Sequence, residues 1–382
     1  ILSVGGRIGF SSGRPQRMRE EIQLLKPTIL ATVPKVLTKL YDQIKSCCQR
    51  STTKSILFEK GIRAKLEQLR KSGKLKHTVY DKLLFDDIAK SYGGGIRAMV
   101  TASMTMPAEI LNRLKVIFKC PIIEAYGQTE GTGAYTTTLL NDRVSGHVGG
   151  PLPGVKLRLV DVPDLSASAS ESDNEIAKVQ TGEIVVKSPS VFCGYFRDAE
   201  RTENVMDEDG WLHTGDLGTI SADGRLRIVG RKNTLFTLSH GEYITPEKIE
   251  SILEQSKYIS QAWVYGDSAR HCLIAVVVPD RGETEEYIKA NFLNPMPYVR
   301  AVRERQYTKF ILEEIDRISE KQNFKSHEYI RHATLESIPF SKKNQLLTPS
   351  GVKKRYLFKE TYSHTITQLY DELESPETTS SQ

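Results

Sequence analysis

The chain has 382 residues, of which 39% are hydrophobic and 26% charged, with a formal net charge of +6 at pH 7. This composition is typical of globular proteins, and the length predicts two or three domains. The mild positive charge fits an anionic small molecule or a weakly attracted membrane surface. It does not indicate nucleic acid binding, because neither interleaved aromatic and basic residues nor zinc-finger spacings support it.

The five cysteines are scattered along the chain and form no CxxC pair. This pattern predicts unreactive free thiols in a reducing, intracellular compartment. The longest apolar run, 273–278, is far below the roughly 20 residues that a membrane span needs. The chain begins at Ile1 without Met or a charged leader, so we expect it to be the later part of a longer protein. The cysteines are Cys47, Cys48, Cys120, Cys193 and Cys272.

The first section alternates helical patterns with short apolar runs. "PKVLTKLYDQI" from Pro34 and "PAEILNRLKVIF" from Pro107 each place apolar residues on one helical face. The second helix lies between two predicted strands, "IRAMVTAS" before it and "PIIEAY" after it. Strand, helix and strand at this spacing predict a βαβ unit and a parallel sheet.

Past Gly150 the pattern changes to short strands with turn signals. "GVKLRLVDV" and "TGEIVVKSP" flank a polar, Ser-rich segment, 164–178, which we interpret as a flexible surface insertion. "LGTISADGRLRIVGRK" predicts a hairpin with a two-residue turn at Asp223-Gly224. The pattern therefore changes from α/β to mostly β.

A compact α+β pattern follows a predicted domain boundary near Arg231. Its first helix has Thr245 as cap and Pro246 at the first position. Two strands, "QAWVYGD" and "CLIAVVVPD", a long helix and a last strand complete it. We predict an α/β protein with a partial large domain over 1–231, a small domain over 232–371 and a frayed tail over 372–382.

The stretch "EAYGQTEGTG", Glu124–Gly133, ends the apolar strand. In open parallel sheets, ligands bind outside the carboxyl ends of the strands, where small residues let the backbone approach them. Thr129 can donate to a phosphate oxygen, Glu130 suits Mg²⁺, and Tyr126 can stack on a flat ring. The alternative is a glycine-rich turn with a solvated glutamate.

The string "WLHTGD" places Asp216 after a Thr-Gly pair, and "GRKN" follows fifteen residues later. Asp216 can accept two hydrogen bonds from a ribose diol, or it can satisfy its own turn. Arg231 can bind a hydroxyl or a phosphate oxygen through its planar donors, or it can be one more solvated hairpin arginine.

Five ordered motifs resemble the long-chain fatty acyl-CoA synthetases of the adenylate-forming superfamily. They are "YGQTEG", "GYFRDAERTENVMDEDGWLHTGDLG", "GRLRIVGRKN", "GEYITPEKIE" and "NQLLTPS", and the opening of the chain is similar to the same family. The resemblance implies the later part of a large AMP-binding domain followed by a small mobile C-terminal domain. It also implies ATP and Mg²⁺ as cofactors, with CoA and a fatty acid as co-substrates.

The implied reaction has two steps. A fatty carboxylate attacks the α-phosphate of ATP, giving acyl-AMP and pyrophosphate, and the CoA thiol then displaces AMP to give the thioester. Both steps gather negative charge in one cleft, so metal and basic residues must neutralise it.

By position, the resemblance assigns Tyr126 to adenine stacking, and Gly127 and Gln128 to the lining of the nucleotide pocket. It assigns Thr129 to the phosphate and Glu130 to Mg²⁺. The other implied roles are ribose binding for Asp216 and Arg231, the hinge for Asn233, the thioester step for Gly241 and Glu242, and adenine contacts for Ser103 and Met104.

Two departures from the family pattern bear on these roles. The "GAAP"-like turn near the adenine is Ala102-Ser103-Met104-Thr105, and the upstream phosphate loop is absent, so we expect this fragment alone to be inactive. The family's C-terminal lysine position holds Val352. The sequence therefore makes Lys353 or Lys354 the candidate, and we favour Lys353 through a one-residue loop shift.

Two alternatives to a fatty acid:CoA ligase stay open. One is an acyl-AMP ligase that delivers to a carrier protein, and the other is a degenerate nucleotide- or acyl-binding homologue. We expect fatty acid, ATP and CoA as partners, with no nucleic acid and no particular protein. Peripheral association with a cytoplasm-facing membrane stays open beside a cytoplasmic location.

Overall fold

The computed structural model describes residues 1–13, 17–102, 106–162, 181–239, 243–292, 296–348 and 351–374. The contacts divide the chain into two compact units. Among these residues the first unit comprises 1–161, 181–214 and 218–228, and the second comprises mainly 215–217 and 229–374. Within the described ranges, no helix is both long and apolar enough to cross a membrane.

The first unit contains a five-stranded sheet and several helices. The helices are α1 (Met18–Leu25), α2 (Pro34–Gln49), α3 (Thr52–Ser72), α4 (Thr78–Tyr80), α5 (Asp86–Lys90), α6 (Ala108–Phe118) and α7 (Ala199–Val205). A π-helical turn over Asp81–Phe85 connects α4 to α5. Four of the five apolar residues that the "PKVLTKLYDQI" pattern places on one face are buried in α2, namely Leu37, Leu40, Tyr41 and Ile44, as are Pro34 and Cys48.

The predicted βαβ unit is confirmed. Strands β1 (Ile29–Thr32), β2 (Ala98–Thr101) and β3 (Ile122–Gln128) pair in parallel, and α6 connects β2 to β3. Strands β4 (Gly133–Thr137) and β5 (Gly150–Pro151) then continue the sheet in antiparallel pairing. The carboxyl end of β3 therefore turns directly into β4, which places the "TEG" turn at that edge.

A second sheet has the order β6, β7, β8, β9: Lys156–Val160, Thr181–Lys187, Leu212–Ile220 and Leu226–Arg231. The hairpin is present, but its turn has three residues, Ala222–Gly224, rather than the predicted two. The Ser221 N–H donates to the Arg225 carbonyl oxygen at 3.0 Å, the Arg225 N–H donates to the Ser221 hydroxyl at 3.2 Å, and Gly224 has a φ of 77°. Only a residue that tolerates positive φ closes such a turn, which is why Gly follows Asp here.

Among the described residues, the second unit contains a small and a larger sheet with six α-helices. Its strands are β10 (Phe236–Thr237), β11 (Tyr243–Ile244), β12 (Ile259–Tyr265), β13 (Leu273–Pro279) and β14 (Ile330–Leu335). Its helices are α8 (Pro246–Leu253), α9 (Arg281–Asn291), α10 (Tyr298–Ala301), α11 (Arg305–Lys321), α12 (Arg355–Thr361) and α13 (Ser363–Glu374).

Every residue of the central strand β13 is buried, because both faces of its sheet are covered. One face contacts α8 and α11 through residues such as Val277, and the other contacts Phe340 and Phe358 through Val276. A strand covered on both sides is apolar throughout rather than alternating, which explains the "LIAVVV" run.

Two expectations on domain limits stay predictions. The boundary near Arg231 falls close to the division between the two units, and the insertion 164–178 lies outside the described residues.

Helix α13 continues to Glu374, three residues into the segment expected to fray. Thr245 precedes α8 as predicted, but its side chain makes no capping hydrogen bond.

A buried carboxylate connects β3 to the loop after β4. Glu124, 7% exposed, accepts a hydrogen bond from the Gly146 backbone N–H at 3.1 Å. Burial raises the pKa of Glu124 to about 7, although the Gly146 hydrogen bond and the positive charge of Lys115 both favour its ionised form. Asp142 adds a like charge. Near neutral pH this carboxyl therefore takes up a proton that the unfolded chain would not bind.

We predict that this proton uptake makes stability depend on pH. Because the folded-state pKa lies above 4.5, the contribution favours folding as the pH falls from about 8 to about 5, by up to roughly 3 kcal/mol. Glu124→Gln should remove that part of the pH dependence of the free energy of unfolding in urea. The control is Glu67→Gln, an exposed position on α3. Parallel curves for Glu124→Gln and the parent chain would contradict the assignment.

Candidate functional site

The end of β3 depends on two close approaches of the backbone. A β-carbon added to Gly127 would lie 1.8 Å from the Gly133 carbonyl oxygen, and one added to Gly131 would lie 2.0 Å from the Tyr135 ring. Thr129–Gly131 form a single 3₁₀ turn between the two strands. The glycines of this motif are thus required by packing, and they hold Thr129 and Glu130 at the edge of the sheet.

Glu130 is fixed by the loop that contains the "GYF" motif. Its Oε1 accepts a hydrogen bond from the Tyr195 hydroxyl at 2.8 Å, and its carbonyl oxygen accepts one from the Phe192 N–H at 2.7 Å. Burial, reinforced by the Glu130 carboxylate, raises the pKa of Tyr195, so the phenol remains protonated and donating. The Arg201 guanidinium lies over the Tyr195 ring, 4.0 Å from its centroid.

Thr129 and Gln128 differ in their surroundings. Thr129 is exposed, whereas the Gln128 side-chain amide donates to the Thr214 carbonyl oxygen at 2.9 Å. The Thr214 hydroxyl in turn donates to the Ile184 carbonyl oxygen at 2.6 Å. Gln128 thereby ties the end of β3 to the strand that contains the "HTG" motif.

Tyr126 is 9% exposed and belongs to a hydrophobic cluster of the first unit. Its ring meets that of Tyr135 edge-on, with centroids 5.8 Å apart. Most of the Tyr126 ring is therefore already packed in the core. Stacking on adenine, which stays a prediction, would use the small part of the ring that is exposed.

In the second unit, Asp216 and Arg231 form an ion pair. Arg231 Nε lies 3.0 Å from Asp216 Oδ1, and Asp216 is 3% exposed whereas the arginine side chain is 57% exposed. The sequence predicts that both residues bind the same ribose, and the structure brings these two side chains together. A buried carboxylate thus lies next to an exposed cation.

Lys353 lies in an ionic cluster with helix α8. Its Nζ is 2.9 Å from Glu250 and 3.0 Å from Glu254, and its side chain is 17% exposed. Burial opposes its charge, but the two carboxylates outweigh burial and raise the pKa of Lys353. Arg355 also binds Glu250, at 2.9 Å.

The loop shift that would give Lys353 the family's lysine role stays a prediction, and it would require the ion pairs with Glu250 and Glu254 to break. The Val352 N–H donates to the Thr348 hydroxyl at 3.0 Å, and the Lys354 N–H donates to the Leu346 carbonyl oxygen at 2.9 Å. The Lys354 side chain makes no hydrogen bond or ion pair with any other residue that the structure describes.

Several predicted site residues cannot be placed. Ser103, Met104, Gly241 and Glu242 lie outside the described residues. Of Asn233 only the backbone is described, in the 3₁₀ turn Lys232–Thr234. Their roles stay predictions.

The residues present fit a magnesium ion that arrives with a nucleotide. In the described ranges, no three His, Cys, Asp or Glu side chains come together as a metal cage. A single carboxylate such as Glu130 is nevertheless the usual protein contribution to Mg²⁺ that is held mainly by phosphates and water.

Two residues that organise these sites are not predicted by the sequence. Tyr195 supports Glu130 across 65 residues of sequence, and Glu250 accepts from both Lys353 and Arg355 across more than 100. In neither case does the spacing between the two partners in the sequence indicate that they are in contact. The only available signal is that both lie inside motifs that carry the family resemblance.

The sequence profile of the AMP-binding enzyme family matches residues 1–196. The chain belongs to this family. The profile of its C-terminal domain, described as "AMP-binding enzyme C-terminal domain", matches residues 233–374. These matches agree with the order of the motifs, a large domain first and a small domain second.

The chain is similar to curated long-chain-fatty-acid–CoA ligases. Ligase 5 of Rattus norvegicus is 35% identical over 98% of the chain and 53% of its own length. Ligase 1 of Cavia porcellus is 36% identical over 97% of the chain and 52% of its own length. The chain thus spans about half the length of the curated relatives it matches.

Solved structures support the fold. The adenylation domain of a carboxylate reductase from Mycobacterium chelonae has a TM-score of 0.72 at 24% identity, over 95% of this chain and 49% of that one. The A-PCP didomain of carboxylic acid reductase from Segniliparus rugosus, in complex with AMP, has a TM-score of 0.71 at 23% identity. That match covers 96% of this chain and 44% of the didomain.

The ionic cluster on α8 predicts unequal roles for two neighbouring lysines. Lys353→Met should lower the free energy of unfolding by about 3 kcal/mol, because it leaves one oxygen of the buried Glu250 and the partly buried Glu254 without their cation. Lys354→Met should change it by less than about 0.5 kcal/mol. Urea unfolding of both variants measures the difference. Equal effects of the two substitutions would show that Lys353 is not a structural cation.

Proposed function

We propose that the whole protein is an ATP-dependent long-chain fatty acid:CoA ligase. The observation that carries the proposal is the carboxylate of Glu130, held by Tyr195 at the end of β3 next to the exposed hydroxyl of Thr129. About 35% identity to curated long-chain-fatty-acid–CoA ligases supports the choice of substrate class. Chain-length preference is not part of the proposal.

The first half-reaction joins a fatty carboxylate to the α-phosphate of ATP and releases pyrophosphate. When bound, Mg²⁺ would neutralise charge on the transferring phosphates, and Glu130 is the residue that would hold it. Thr129 would donate to a phosphate oxygen, and Gly127 and Gln128 would line the nucleotide pocket. The Tyr195 hydroxyl would keep the Glu130 carboxylate in one orientation while the phosphate charge changes.

Nucleoside recognition would use Tyr126 at the adenine and the ion pair of Asp216 with Arg231 at the ribose. Arg231 places a cation beside the Asp216 carboxylate, which would accept from the ribose hydroxyls. Ser103 and Met104 complete the proposed adenine contacts.

For the basic residue of adenylation we propose Lys354 rather than Lys353. The Lys353 ammonium is bound by Glu250 and Glu254, whereas Lys354 has no such partner among the described residues. A lysine that is already paired would have to break two ion pairs before it could contact a substrate phosphate.

The second half-reaction transfers the acyl group from AMP to the CoA thiol. The C–S bond forms as the bond between the acyl carbon and the phosphate oxygen breaks, and AMP leaves. We assign the hinge to Asn233 and the approach of the small domain to Gly241 and Glu242, on the resemblance alone.

Delivery to a carrier protein and a degenerate binding homologue stay as alternatives, and so do a cytoplasmic location and a peripheral membrane location. The carrier alternative differs from the ligase only in the acceptor of the second step. The intact Thr129, Glu130, Asp216 and Arg231 weigh against a degenerate homologue.

The 382-residue chain by itself should show no turnover, and acyl-CoA synthesis by it would contradict that expectation.

ATP–pyrophosphate exchange in the presence of palmitate, followed by thioester formation with CoA, tests the proposal in the whole protein. Glu130→Gln should lower exchange by about 100-fold, because it removes a charge that the transition state uses. Glu109→Gln, an exposed position on α6, is the control and should exchange normally.

A folded, ATP-binding protein without exchange would rule out the enzyme. Exchange without thioester would favour delivery to a carrier protein. Exchange that survives in Glu130→Gln would remove Glu130 from the metal site.

A further inference from the structure

An arginine lies beside the tyrosine that supports Glu130. Arg201 belongs to helix α7, and its guanidinium carbon is 4.0 Å from the centroid of the Tyr195 ring. The hydroxyl of the same ring donates to the Glu130 carboxylate at 2.8 Å. Burial and the hydrogen bond to Glu130 raise the pKa of Tyr195, whereas the positive charge of Arg201 opposes this rise. Arg201 and Glu130 thus contact one phenol, the first at its ring face and the second at its hydroxyl.

The backbone around Arg201 is fixed to the loop that contains Tyr195. The Asp198 carboxylate accepts a hydrogen bond from the Arg201 N–H at 3.1 Å, and the Thr202 hydroxyl accepts one from the Tyr195 N–H at 2.9 Å. A β-carbon added to Gly194 would lie 2.7 Å from the Thr202 methyl group. Because the helix and the loop pack this closely, the guanidinium and the phenol are positioned together.

The charge of Arg201 is not neutralised. Among the described residues, its side chain contacts the Tyr195 ring but forms no ion pair with a carboxylate. Arg225, by comparison, pairs with Asp223 at 2.9 Å. An exposed arginine without a carboxylate partner keeps its planar donors available, and their geometry matches two oxygens of a phosphate.

We propose that Arg201 binds the part of ATP that leaves as pyrophosphate. The proposal rests on the proposed nucleotide site, because the phosphates that would share a metal with Glu130 are those that approach the Tyr195 ring. The Glu130 carboxylate attracts a metal but repels phosphate oxygens. A cation that is held beside this carboxylate by the phenol, and is not consumed by an ion pair with it, offsets that repulsion.

The charge of Arg201 would act on the leaving group of the first half-reaction. As an oxygen of the fatty carboxylate bonds to the α-phosphorus, the bond from that phosphorus to the bridging oxygen breaks. The electron pair stays on the bridging oxygen, so negative charge grows on the departing pyrophosphate. A guanidinium bound to the pyrophosphate would stabilise this charge. AMP lacks the leaving phosphates, so Arg201 should distinguish ATP from AMP.

Isothermal titration calorimetry of the whole protein with MgATP and with AMP, without fatty acid, tests this role. Arg201→Gln should weaken MgATP binding by about tenfold and AMP binding by less than about twofold, since only ATP would lose a charge-assisted hydrogen bond. Arg201→Lys should recover part of the loss, because it restores the charge without the planar donors.

Metal-free ATP separates Arg201 from Tyr195. Arg201→Gln should still weaken ATP binding in EDTA, because the proposed contact is with a phosphate. Tyr195→Phe should leave metal-free ATP binding unchanged, because Tyr195 acts through the metal ligand Glu130. An effect of Arg201→Gln that disappears in EDTA would show that Arg201 acts only through Tyr195, which would overturn the proposal.

The matched control is Arg197→Gln, which makes the same charge change in the same loop. The Arg197 guanidinium lies over the Phe196 ring, 5.2 Å from its centroid, and should leave both affinities within about twofold. Circular dichroism and thermal melting establish that each variant folds. Equal losses for MgATP and AMP in Arg201→Gln, or an equal loss in Arg197→Gln, would also overturn the proposal. A protein that binds MgATP but forms no acyl-CoA would contradict the ligase alone, because these titrations need no turnover.

Discussion

The close approach of β3 and β4 at Gly127 is the constraint on which the proposed nucleotide site depends. The Gly133 carbonyl oxygen occupies the space where a side chain at Gly127 would be, so the two strands meet at their backbones. This contact places the Thr129–Gly131 turn at the edge of the sheet, where Tyr195 can reach Glu130. The side chains proposed to contact the phosphates and their metal are therefore positioned by backbone packing.

Buried or partly buried carboxylates hold the backbone in both units. In the first unit, Glu124 accepts from the Gly146 N–H. In the second, Glu250 accepts from the Val264 N–H at 2.8 Å, and Glu254 accepts from the Ala262 N–H at 3.1 Å. Both amides belong to the edge strand β12, so side chains satisfy hydrogen bonds that a neighbouring strand would otherwise make. Lys353 and Arg355 neutralise the negative charges of these two glutamates. This pairing gives Lys353 a structural role.

The fold was largely predictable because its signals are local or periodic. The helical face of α2, the parallel β2–α6–β3 unit and the apolar β13 all follow from residue periodicity. The three-residue turn before Arg225 was missed because Asp-Gly also suits a two-residue turn, and only tertiary pairing decides between them. The partners of Glu130 and Lys353 were not predictable, since Tyr195 and Glu250 are far away in sequence. The sequence supplies candidate residues for the chemistry, but it does not show which of two adjacent lysines is already paired.

The central claim is that Tyr195 holds Glu130 ready for a magnesium ion at the end of β3. The most direct test is the Mg²⁺ dependence of ATP–pyrophosphate exchange by the whole protein and its Tyr195→Phe variant. Losing a residue that orients a metal ligand should raise the Mg²⁺ concentration for half-maximal exchange by about tenfold, with exchange near normal at saturating Mg²⁺. An unchanged Mg²⁺ dependence in a folded Tyr195→Phe variant would contradict the claim.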